Sequence, residues 1–380
     1  MTRTLGVMGG GQLGMYFVRA ARTLGFRTVV LDPDPLCPAS RNADEHIIAP
    51  YDSTAALMRM ASLCEAVTVE FENVPCDSLE QLARRIRVAP GADAVAVAQD
   101  RRAEKRFLRS SGIPVAGFEV IENDDDVARI VSAGMLDGGT FGAAVLKTAT
   151  MGYDGKGQVR IDGPDGLRAA WDSMSRVPCV LERMVPLEAE MSVIIVRTAD
   201  GEVASFAPAT NMHMNGVLDS SVVPSGDALV GEAGHLAARV ADELGYVGVM
   251  GVEFFVSDGR LLVNEIAPRP HNSGHWTIDG AVTSQFEQQV RVLAGLPVAD
   301  LSMNCGGAAM VNLLGDMWSD GEPDWSVLRE GPGVHLHLYG KKQARPGRKM
   351  GHLTVLAETA EEALHRAMQL RASTITASGK

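Results

Sequence analysis

The sequence contains few cysteines, no long apolar run and no surplus of basic residues. Its five cysteines, at positions 37, 64, 76, 179 and 305, form no Cys-x-x-Cys pair. This pattern argues against a disulfide framework or a zinc cluster and favours a reducing, cytoplasmic setting. No apolar segment approaches the roughly 20 residues of a membrane span, so we expect no membrane partner.

The charge balance narrows the possible partners further. Lys and Arg total 35 against 47 Asp and Glu, which gives a formal net charge of −12. This acidic balance disfavours binding to nucleic acid. The HExxH pattern of metalloproteases and the Walker A pattern are also missing from the sequence, so neither class is indicated.

A chain of 380 residues predicts two or three domains. Apolar spacing indicates a strand over 4–8, a helix over 12–25 and a strand over 28–31, which together begin a parallel sheet with flanking helices. A helix over 99–111 places a boundary near residue 100. The other main predicted elements are strands over 66–71, 191–197 and 202–208, helices over 54–63, 76–87, 231–244, 284–294 and 361–371, and a hairpin over 249–265.

Gly9, Gly11 and Gly14 form a Gly-x-Gly-x-x-Gly motif between the first strand and the first helix. Asp32, at the end of the second strand, completes the context of a dinucleotide-binding fingerprint. The motif alone leaves three interpretations open. They are a dinucleotide site, a site for another phosphate, and a strand–helix turn without a ligand.

Residues 145–158 (VLKTATMGYDGKGQ) combine a short strand, Lys147 and a glycine-rich turn. Such a loop can close over a triphosphate, whose charge Lys147 and Lys156 would neutralise; a hairpin turn with exposed lysines is the simpler alternative. Further on, Glu182 ends one predicted strand and Glu190 begins the next. Either carboxylate can hold an adenosine or be a solvated surface group.

Residues 249–265 (VMGVEFFVSDGRLLVNE) predict two apolar strands joined near Asp258-Gly259. A two-residue loop would place Glu253 opposite residue 264 and leave Glu265 on the other face. A three-residue loop over 257–259 would make Glu253 and Glu265 diagonal neighbours on one face. Because two carboxylates on one face are unfavourable without a cation, we predict the three-residue loop and a Mg²⁺ site there. The alternative is a half-buried hairpin with unrelated acids.

Two later segments are candidates for anion binding. PRPHNSGHW at 268–276 offers the planar guanidinium of Arg269, followed by further donors,. KKQARPGRKMGH at 341–352 has the densest positive charge and would grip a phosphate monoester,. Nucleic acid and a solvated basic turn are its alternatives. His335 and His337 alternate on a predicted strand, and we expect them to pack or hydrogen-bond rather than to bind a metal.

Together these motifs resemble one family, the N5-carboxyaminoimidazole ribonucleotide synthetases, which are ATP-grasp enzymes of purine biosynthesis. The resemblance covers essentially the whole chain and rests on GGGQLG, EFENVP, LKTATMGYDGKGQ, NMHMNGVLDSS, GYVGVMGVEFF, NEIAPRPHNSGHWT and RPGRKMGHL. It implies an α/β fold with a Rossmann-like domain at 1–100, an α+β ATP-grasp lid at 101–190 and an ATP-grasp C-terminal domain at 191–380. It also implies a homodimer and a glycine turn that does not hold NAD.

The resemblance further implies site residues by their positions. ATP would contact Arg101, Lys147, Gly152, Tyr153, Asp154, Gly155, Lys156, Gly157, Gln158, Glu182, Arg183, Met184, Val185, Glu190, His213, Asn264 and Glu265. Mg²⁺ would be held by Glu253 and Glu265. The ribonucleotide or bicarbonate would face Tyr153, Asp154, Arg269, His271, Asn272, Ser273, Lys341, Arg345, Arg348 and either Glu70 or Glu72, with the choice between these two glutamates left open.

The implied reaction is the ATP-dependent carboxylation of 5-aminoimidazole ribonucleotide by bicarbonate, through carboxyphosphate, with Lys147, Asp154 and Arg269 as catalytic residues. Two positions depart from the family pattern: Met151 replaces a glycine, and Leu187 stands where an aromatic residue is common. Three other functions stay open. They are an ATP-grasp enzyme for another carboxylate, a nicotinamide dehydrogenase, and a nucleotide-binding regulator without catalysis.

Overall fold

The computed structural model describes residues 2–136, 142–152, 157–328 and 331–377. In this part of the chain the strands form three sheets, which lie within residues 4–88, 118–183 and 189–357. The domain boundaries at residues 100 and 190 stay predictions. None of the described helices is long and apolar enough to cross a membrane.

The first sheet is parallel and has helices on both faces. Its elements are β1 (Thr4–Met8), α1 (Gln12–Thr23), β2 (Arg27–Leu31), β3 (Glu45–Ile47), α2 (Thr54–Leu63), β4 (Ala66–Val69), α3 (Cys76–Ala83), β5 (Arg87–Val88) and α4 (Ala92–Gln99). The strand order is β3-β2-β1-β4-β5. Phe17 packs in one apolar cluster with Leu5, and Leu57 packs in another with Val67. Strands buried on both faces explain the continuous apolar runs of β1 and β4.

The second sheet is antiparallel and smaller. Its elements are α5 (Arg101–Ser110), β6 (Phe118–Ile121), α6 (Asp124–Ser132), β7 (Ala144–Thr148), β8 (Gln158–Ile161), α7 (Pro164–Ser173) and β9 (Cys179–Arg183). The strand order is β6-β9-β7-β8. Asp100 begins α5 as its N-cap, because its side chain accepts a hydrogen bond of 2.8 Å from the backbone N–H of Arg102,.

The third sheet is the largest and carries the predicted hairpin. Its elements are β10 (Ala189–Arg197), β11 (Val203–Ser205), β12 (Ala209–Met214), β13 (Val217–Val223), α8 (Val230–Glu243), β14 (Gly248–Ser257), β15 (Arg260–Ala267), α9 (Thr277–Gly280), α10 (Gln285–Ala294), β16 (Gly307–Leu314), β17 (Val334–Leu338), β18 (Lys349–Ala357) and α11 (Ala360–Ala377). The strand order is β15-β14-β10-β12-β13-β16-β18-β17, with β11 paired to β10.

The predicted three-residue loop of the β14–β15 hairpin is wrong. Ser257 pairs with Arg260, so the turn contains two residues, Asp258 and Gly259, whose φ angles are 50° and 65°. Positive φ at both residues belongs to the turn that matches the right-handed twist of paired strands.

Glu253 nevertheless lies directly opposite Glu265. Phe254 pairs with Val263, and the register shifts between Glu253 and Phe254, so that Asn264 is the extra residue of a β-bulge,. The two carboxylates therefore share a face because of a bulge within the strands. The length of the turn does not bring them together.

Several predicted boundaries also shift. The strand predicted over 66–71 ends at Val69, which lets Glu70 and Phe71 leave the sheet. The helix predicted over 76–87 ends at Ala83, and the strand predicted over 202–208 is only Val203–Ser205. The first of these shifts matters for the site described next.

Candidate active site

A cavity of about 940 Å³ is lined by residues from the N-terminal part, from the second sheet and from the third. The predicted site residues that line it are Glu70, Glu72, Arg101, Lys147, Gly152, Gly157, Gln158, Glu190, His213, Glu253, Asn264, Glu265, Arg269, His271, Asn272, Lys341, Arg345 and Arg348. Its size suits a nucleotide together with a second small molecule.

The remaining predicted site residues fall into two groups. Tyr153, Asp154, Gly155 and Lys156 lie outside the described residues. The predicted residues found away from the cavity lining in the described chain are Glu182, Arg183, Met184, Val185 and Ser273.

The glycine-rich turn after β1 surrounds a carboxylate of the protein itself. The backbone N–H groups of Gly11 and Gly14 donate hydrogen bonds of 2.6 and 2.5 Å to the two side-chain oxygens of Glu70. A Cβ atom at Gly9 or Gly11 would overlap the Glu70 side chain. The N-terminus of α1 therefore has the anion-binding geometry of the motif, and Glu70 occupies the place that a phosphate would take.

Glu70 and Glu72 both line the cavity, but their surroundings differ. Burial raises the pKa of Glu70 to about 7, against the opposing effect of the Gly14 and Gly11 N–H groups. Glu72 accepts a hydrogen bond of 2.7 Å from Nε of Arg269. Burial alone would raise the pKa of Glu72, but the neighbouring guanidinium outweighs it and holds that pKa below its ordinary value,.

The facing carboxylates of β14 and β15 form an oxygen-rich corner of the cavity. Burial and the nearby charge of Glu265 raise the pKa of Glu253,. Nδ2 of Asn264 lies 3.4 Å from Oε2 of Glu253, and Oδ1 of Asn264 is buried without a hydrogen-bond partner. Two carboxylates beside an unpartnered amide oxygen are ligands that suit a hard divalent cation such as Mg²⁺.

Glu182 acts on the cavity indirectly. Its Oε2 lies 3.2 Å from Nζ of Lys147 and 3.3 Å from Nζ of Lys105. Burial alone would raise the pKa of Glu182, but Lys105, Lys147 and Arg101 together lower it to about 2. A carboxylate that is 3 % exposed and shared by two ammonium groups holds Lys147 at the cavity wall.

The paired side chains His213 and Glu190 lie on the neighbouring strands β12 and β10. Burial alone would lower the pKa of His213, but the hydrogen bond to Glu190 and the charges of Glu253 and Glu190 together outweigh burial and raise that pKa. Leu218 and Phe255 add apolar surface to the cavity. An adenine and ribose need such a combination of polar and apolar contacts.

In the loop after β15, Ser273 is fully buried and Asn272 lines the cavity. Oγ of Ser273 lies 2.8 Å from Nδ1 of His271 and accepts a hydrogen bond of 2.7 Å from Ser192. Both amide atoms of Asn272 are buried without a hydrogen-bond partner. Because unpaired buried amides are costly, Asn272 is suited to pair with a bound molecule.

The basic segment over residues 341–352 also lines the cavity. Nζ of Lys341 donates a hydrogen bond of 2.5 Å to Oε1 of Gln12, and Arg345 and Arg348 line the same wall. Sequence reasoning missed Gln12 as a lining residue, although it lies inside the glycine motif, between Gly11 and Gly14. It also missed Phe255, which shares a strand face with Glu253 and was detectable from that spacing.

The two histidines of β17 make hydrogen bonds or ion pairs away from this cavity. Nε2 of His337 lies 2.8 Å from Oδ2 of Asp279, and Nδ1 of His335 lies 3.4 Å from Oδ1 of the same residue. The ring of His337 stacks on His352 with 4.4 Å between centroids and 14° between planes. Asp279, His337 and His352 also bring one possible ligand atom each to within 4.8 Å of one another, so the expectation that the histidines of β17 bind no metal stays a prediction.

The fold and the cavity define a class of enzyme, the ATP-grasp ligases. Residues 106–286 match the model of the ATP-grasp domain, and residues 1–99 match that of the ribonucleotide synthetase preATP-grasp domain. Residues 308–366 match the phosphoribosylaminoimidazole carboxylase C-terminal domain. The predicted fold class is thereby confirmed.

Individual relatives identify the family. An N5-carboxyaminoimidazole ribonucleotide synthase from Brucella melitensis is 44 % identical over 92 % of this chain and 95 % of its own length. A crystal structure of an N5-carboxyaminoimidazole ribonucleotide synthetase with ADP has a TM-score of 0.89 and 37 % identity, covering 97 % of this chain and 96 % of that one.

A third relative, an Aspergillus clavatus N5-carboxyaminoimidazole synthase in complex with ADP and 5-aminoimidazole ribonucleotide, has a TM-score of 0.88 and 29 % identity over 99 % of both chains. The chain belongs to the N5-carboxyaminoimidazole ribonucleotide synthase family.

Proposed function

We propose that this chain carboxylates 5-aminoimidazole ribonucleotide in purine biosynthesis, with ATP and bicarbonate as the other substrates. A bicarbonate oxygen attacks the γ-phosphorus of ATP, and the bond to the leaving ADP breaks. The resulting carboxyphosphate separates into CO₂ and phosphate. The exocyclic amine of the ribonucleotide attacks CO₂ and loses a proton, which forms N5-carboxyaminoimidazole ribonucleotide.

The observation that carries this proposal is that one cavity is lined by two chemically different sets of residues. The first set, which we call the nucleotide end, contains Lys147, Arg101 and the facing carboxylates Glu253 and Glu265. The second set, which we call the ribonucleotide end, contains Arg269 and the basic segment from Lys341 to Arg348. A triphosphate with a divalent cation suits the first end, and a second anionic substrate suits the other.

At the nucleotide end, the chain's own groups supply charge and orientation. Lys147 and Arg101 neutralise charge on the transferring phosphoryl group. His213 and Glu190 bind the adenosine side. Glu253 and Glu265 would hold Mg²⁺, which supplies further neutralisation of the triphosphate when it is bound.

At the ribonucleotide end, Arg269 orients bicarbonate through its planar guanidinium while Glu72 fixes the direction of that guanidinium. Asn272 hydrogen-bonds a substrate with its unpaired amide. Lys341, Arg345 and Arg348 bind the phosphate monoester. Asp154 or the released phosphate takes the proton from the amine. Asp154 lies outside the described part of the chain.

We further propose that Mg²⁺ is the cofactor and that two chains associate as a homodimer. The facing carboxylates of Glu253 and Glu265 support the Mg²⁺ site. The homodimer rests on the resemblance to the family. Sedimentation of the purified chain at micromolar concentration tests the homodimer, and a monomeric mass would contradict it.

The proposed reaction is tested by measuring phosphate release from Mg-ATP in bicarbonate buffer, with and without 5-aminoimidazole ribonucleotide. We expect strong stimulation by the ribonucleotide and formation of one carbamate per phosphate. ATP binding without turnover would indicate a regulator instead. Turnover that needs formate in place of bicarbonate would indicate a different ATP-grasp ligase, and NADH binding would indicate a dehydrogenase.

A further inference from the structure

The β-bulge at Asn264 gives the hairpin its pair of facing carboxylates, yet a bulge leaves backbone groups without ladder partners. Nζ of Lys105 donates a hydrogen bond of 2.8 Å to the carbonyl oxygen of Asn264. The backbone N–H of Ile266 donates a hydrogen bond of 2.6 Å to Oε1 of Glu104. Two consecutive side chains of α5 therefore satisfy the irregular backbone of β15.

These two bonds lie on either side of Glu265. The carbonyl of Asn264 belongs to the peptide unit before Glu265, and the N–H of Ile266 belongs to the unit after it. Because peptide units are planar, fixing both of them fixes the two backbone angles of Glu265 and the direction of its Cα–Cβ bond. Arg101, one turn earlier in α5, lies 3.3 Å from Oε2 of Glu265 and restrains its carboxylate.

The cost of this arrangement is high. Glu104 is 2 % exposed and Lys105 is fully buried, and charged groups are seldom found inside without a specific partner. A helix that only packed against the hairpin could use apolar residues at both positions. The same Nζ of Lys105 also lies 3.3 Å from Oε2 of Glu182, and that oxygen forms an ion pair with Lys147. The buried pair thus joins both sides of the nucleotide end.

We propose that Glu104 and Lys105 are positioning residues that hold Glu265 in the orientation needed to share a divalent cation with Glu253. The inference rests on the proposed function only in taking the hairpin as a metal site. It requires no assumption about the ribonucleotide. Residues that orient metal ligands typically change metal affinity 10- to 100-fold when they are replaced.

The test measures Mn²⁺ binding to the full-length protein with ADP by electron paramagnetic resonance, where free Mn²⁺ gives the signal. We expect Glu104→Met and Lys105→Met each to weaken Mn²⁺ binding about tenfold or more, with metal-free ADP affinity unchanged. Glu104→Gln keeps an acceptor oxygen and should bind Mn²⁺ like the wild type. Arg106→Met, an exposed change on the same helix, is the matched control.

Lys105→Arg covers the case in which Lys105→Met does not fold, because it retains the charge beside Glu182. Its bulkier, planar head group should displace the Asn264 carbonyl and weaken Mn²⁺ binding as well. Circular dichroism identifies the folded variants. A folded Lys105→Met, Lys105→Arg or Glu104→Met variant that binds Mn²⁺ with wild-type affinity would overturn the proposal. Wild-type protein that binds Mn²⁺ and ADP without carboxylating activity would instead overturn only the proposed reaction.

Discussion

The glycine-rich turn after β1 and the β14–β15 hairpin use the same device for different purposes. In each, the backbone leaves the regular pattern, and a glutamate from another element accepts hydrogen bonds from backbone N–H groups. Glu70 accepts from Gly11 and Gly14, and Glu104 accepts from Ile266. Burial raises the pKa of both glutamates to about 7.

The difference is in what the sequence reveals. The turn has a recognisable motif that suggests a dinucleotide, but its anion is a side chain of the protein. The bulge has no motif, although it creates the facing carboxylates. A glycine motif therefore predicts the shape of a backbone and leaves its ligand open.

The largest effect on activity is expected at Arg269, in the loop after β15. Arg269→Ala should lower kcat about 100- to 1,000-fold, since it removes a charged donor from the reacting end of the cavity. The KM for ATP should change little, because the nucleotide end is untouched. Steady-state ADP formation measures both, with exposed Arg260→Ala as the control. Equal losses in kcat and ATP affinity would contradict this role.

The stability of the protein should be sensitive to substitutions in the glycine-rich turn after β1. A Cβ at Gly14 would overlap the Gly9 carbonyl oxygen and approach Oε2 of Glu70. Gly14→Ala should therefore lower the free energy of unfolding by about 1–3 kcal/mol, as measured by urea denaturation. Gly231→Ala, whose Cβ would meet no atom within 4 Å, is the matched control. Unchanged stability of Gly14→Ala would show that the turn is looser than described.

The raised pKa of Glu104 predicts a pH dependence of stability with a definite sign. Because the folded pKa of Glu104 is about 7, the native state binds more protons there than the unfolded chain between about pH 4.5 and pH 7. Stability is therefore lost as the pH rises. Relative to Glu104→Gln, the free energy of unfolding of the ligand-free wild type should fall by about 1–3 kcal/mol from about pH 4.5 to pH 7.

Urea denaturation at pH 5 and pH 7.5 measures that difference. Exposed Glu232→Gln serves as the control and should show no such trend. A wild type that gains stability over Glu104→Gln with rising pH would reverse the assigned direction.

The smallest effect is expected at Met151. Its φ is 60°, and its side chain is 71 % exposed, so an L-residue bears the cost of a left-handed conformation without gaining burial. Met151→Gly should raise stability by about 0.5 kcal/mol, the excess of that cost over the entropy lost by glycine. Met151→Val should lower stability, since a branched side chain tolerates positive φ poorly. Denaturation midpoints in the opposite order would contradict this.

Local patterns predicted much of the fold. The apolar runs of β1 and β4 and the apolar spacing of α1 and α2 gave elements close to those observed. The facing of Glu253 and Glu265 was predicted for the wrong reason, because it comes from a bulge whose neighbouring backbone groups bond to Glu104 and Lys105, about 160 positions away in the sequence. No local pattern contains that information.

Prediction of the site residues from the sequence has the same limit, because local patterns do not contain tertiary contacts. Of the charged residues that the sequence patterns indicate, Lys147, Arg269 and most of the basic segment line the cavity. The resemblance places Glu182 against ATP, and this stays a prediction. No motif indicates that its carboxylate lies between Lys105 and Lys147. Burial and pairing of this kind depend on how α5 packs on β9, which is a tertiary contact and not a motif.

Attack of bicarbonate on ATP in this cavity can be tested directly by following the transfer of oxygen. Turnover with ¹⁸O-labelled bicarbonate in the presence of 5-aminoimidazole ribonucleotide should place one labelled oxygen in each released phosphate, because the bond from bicarbonate oxygen to phosphorus survives the breakdown of carboxyphosphate. Mass spectrometry of the phosphate, at times shorter than isotope exchange with water, gives the result. Phosphate without label, whose fourth oxygen comes from solvent, would contradict attack by bicarbonate.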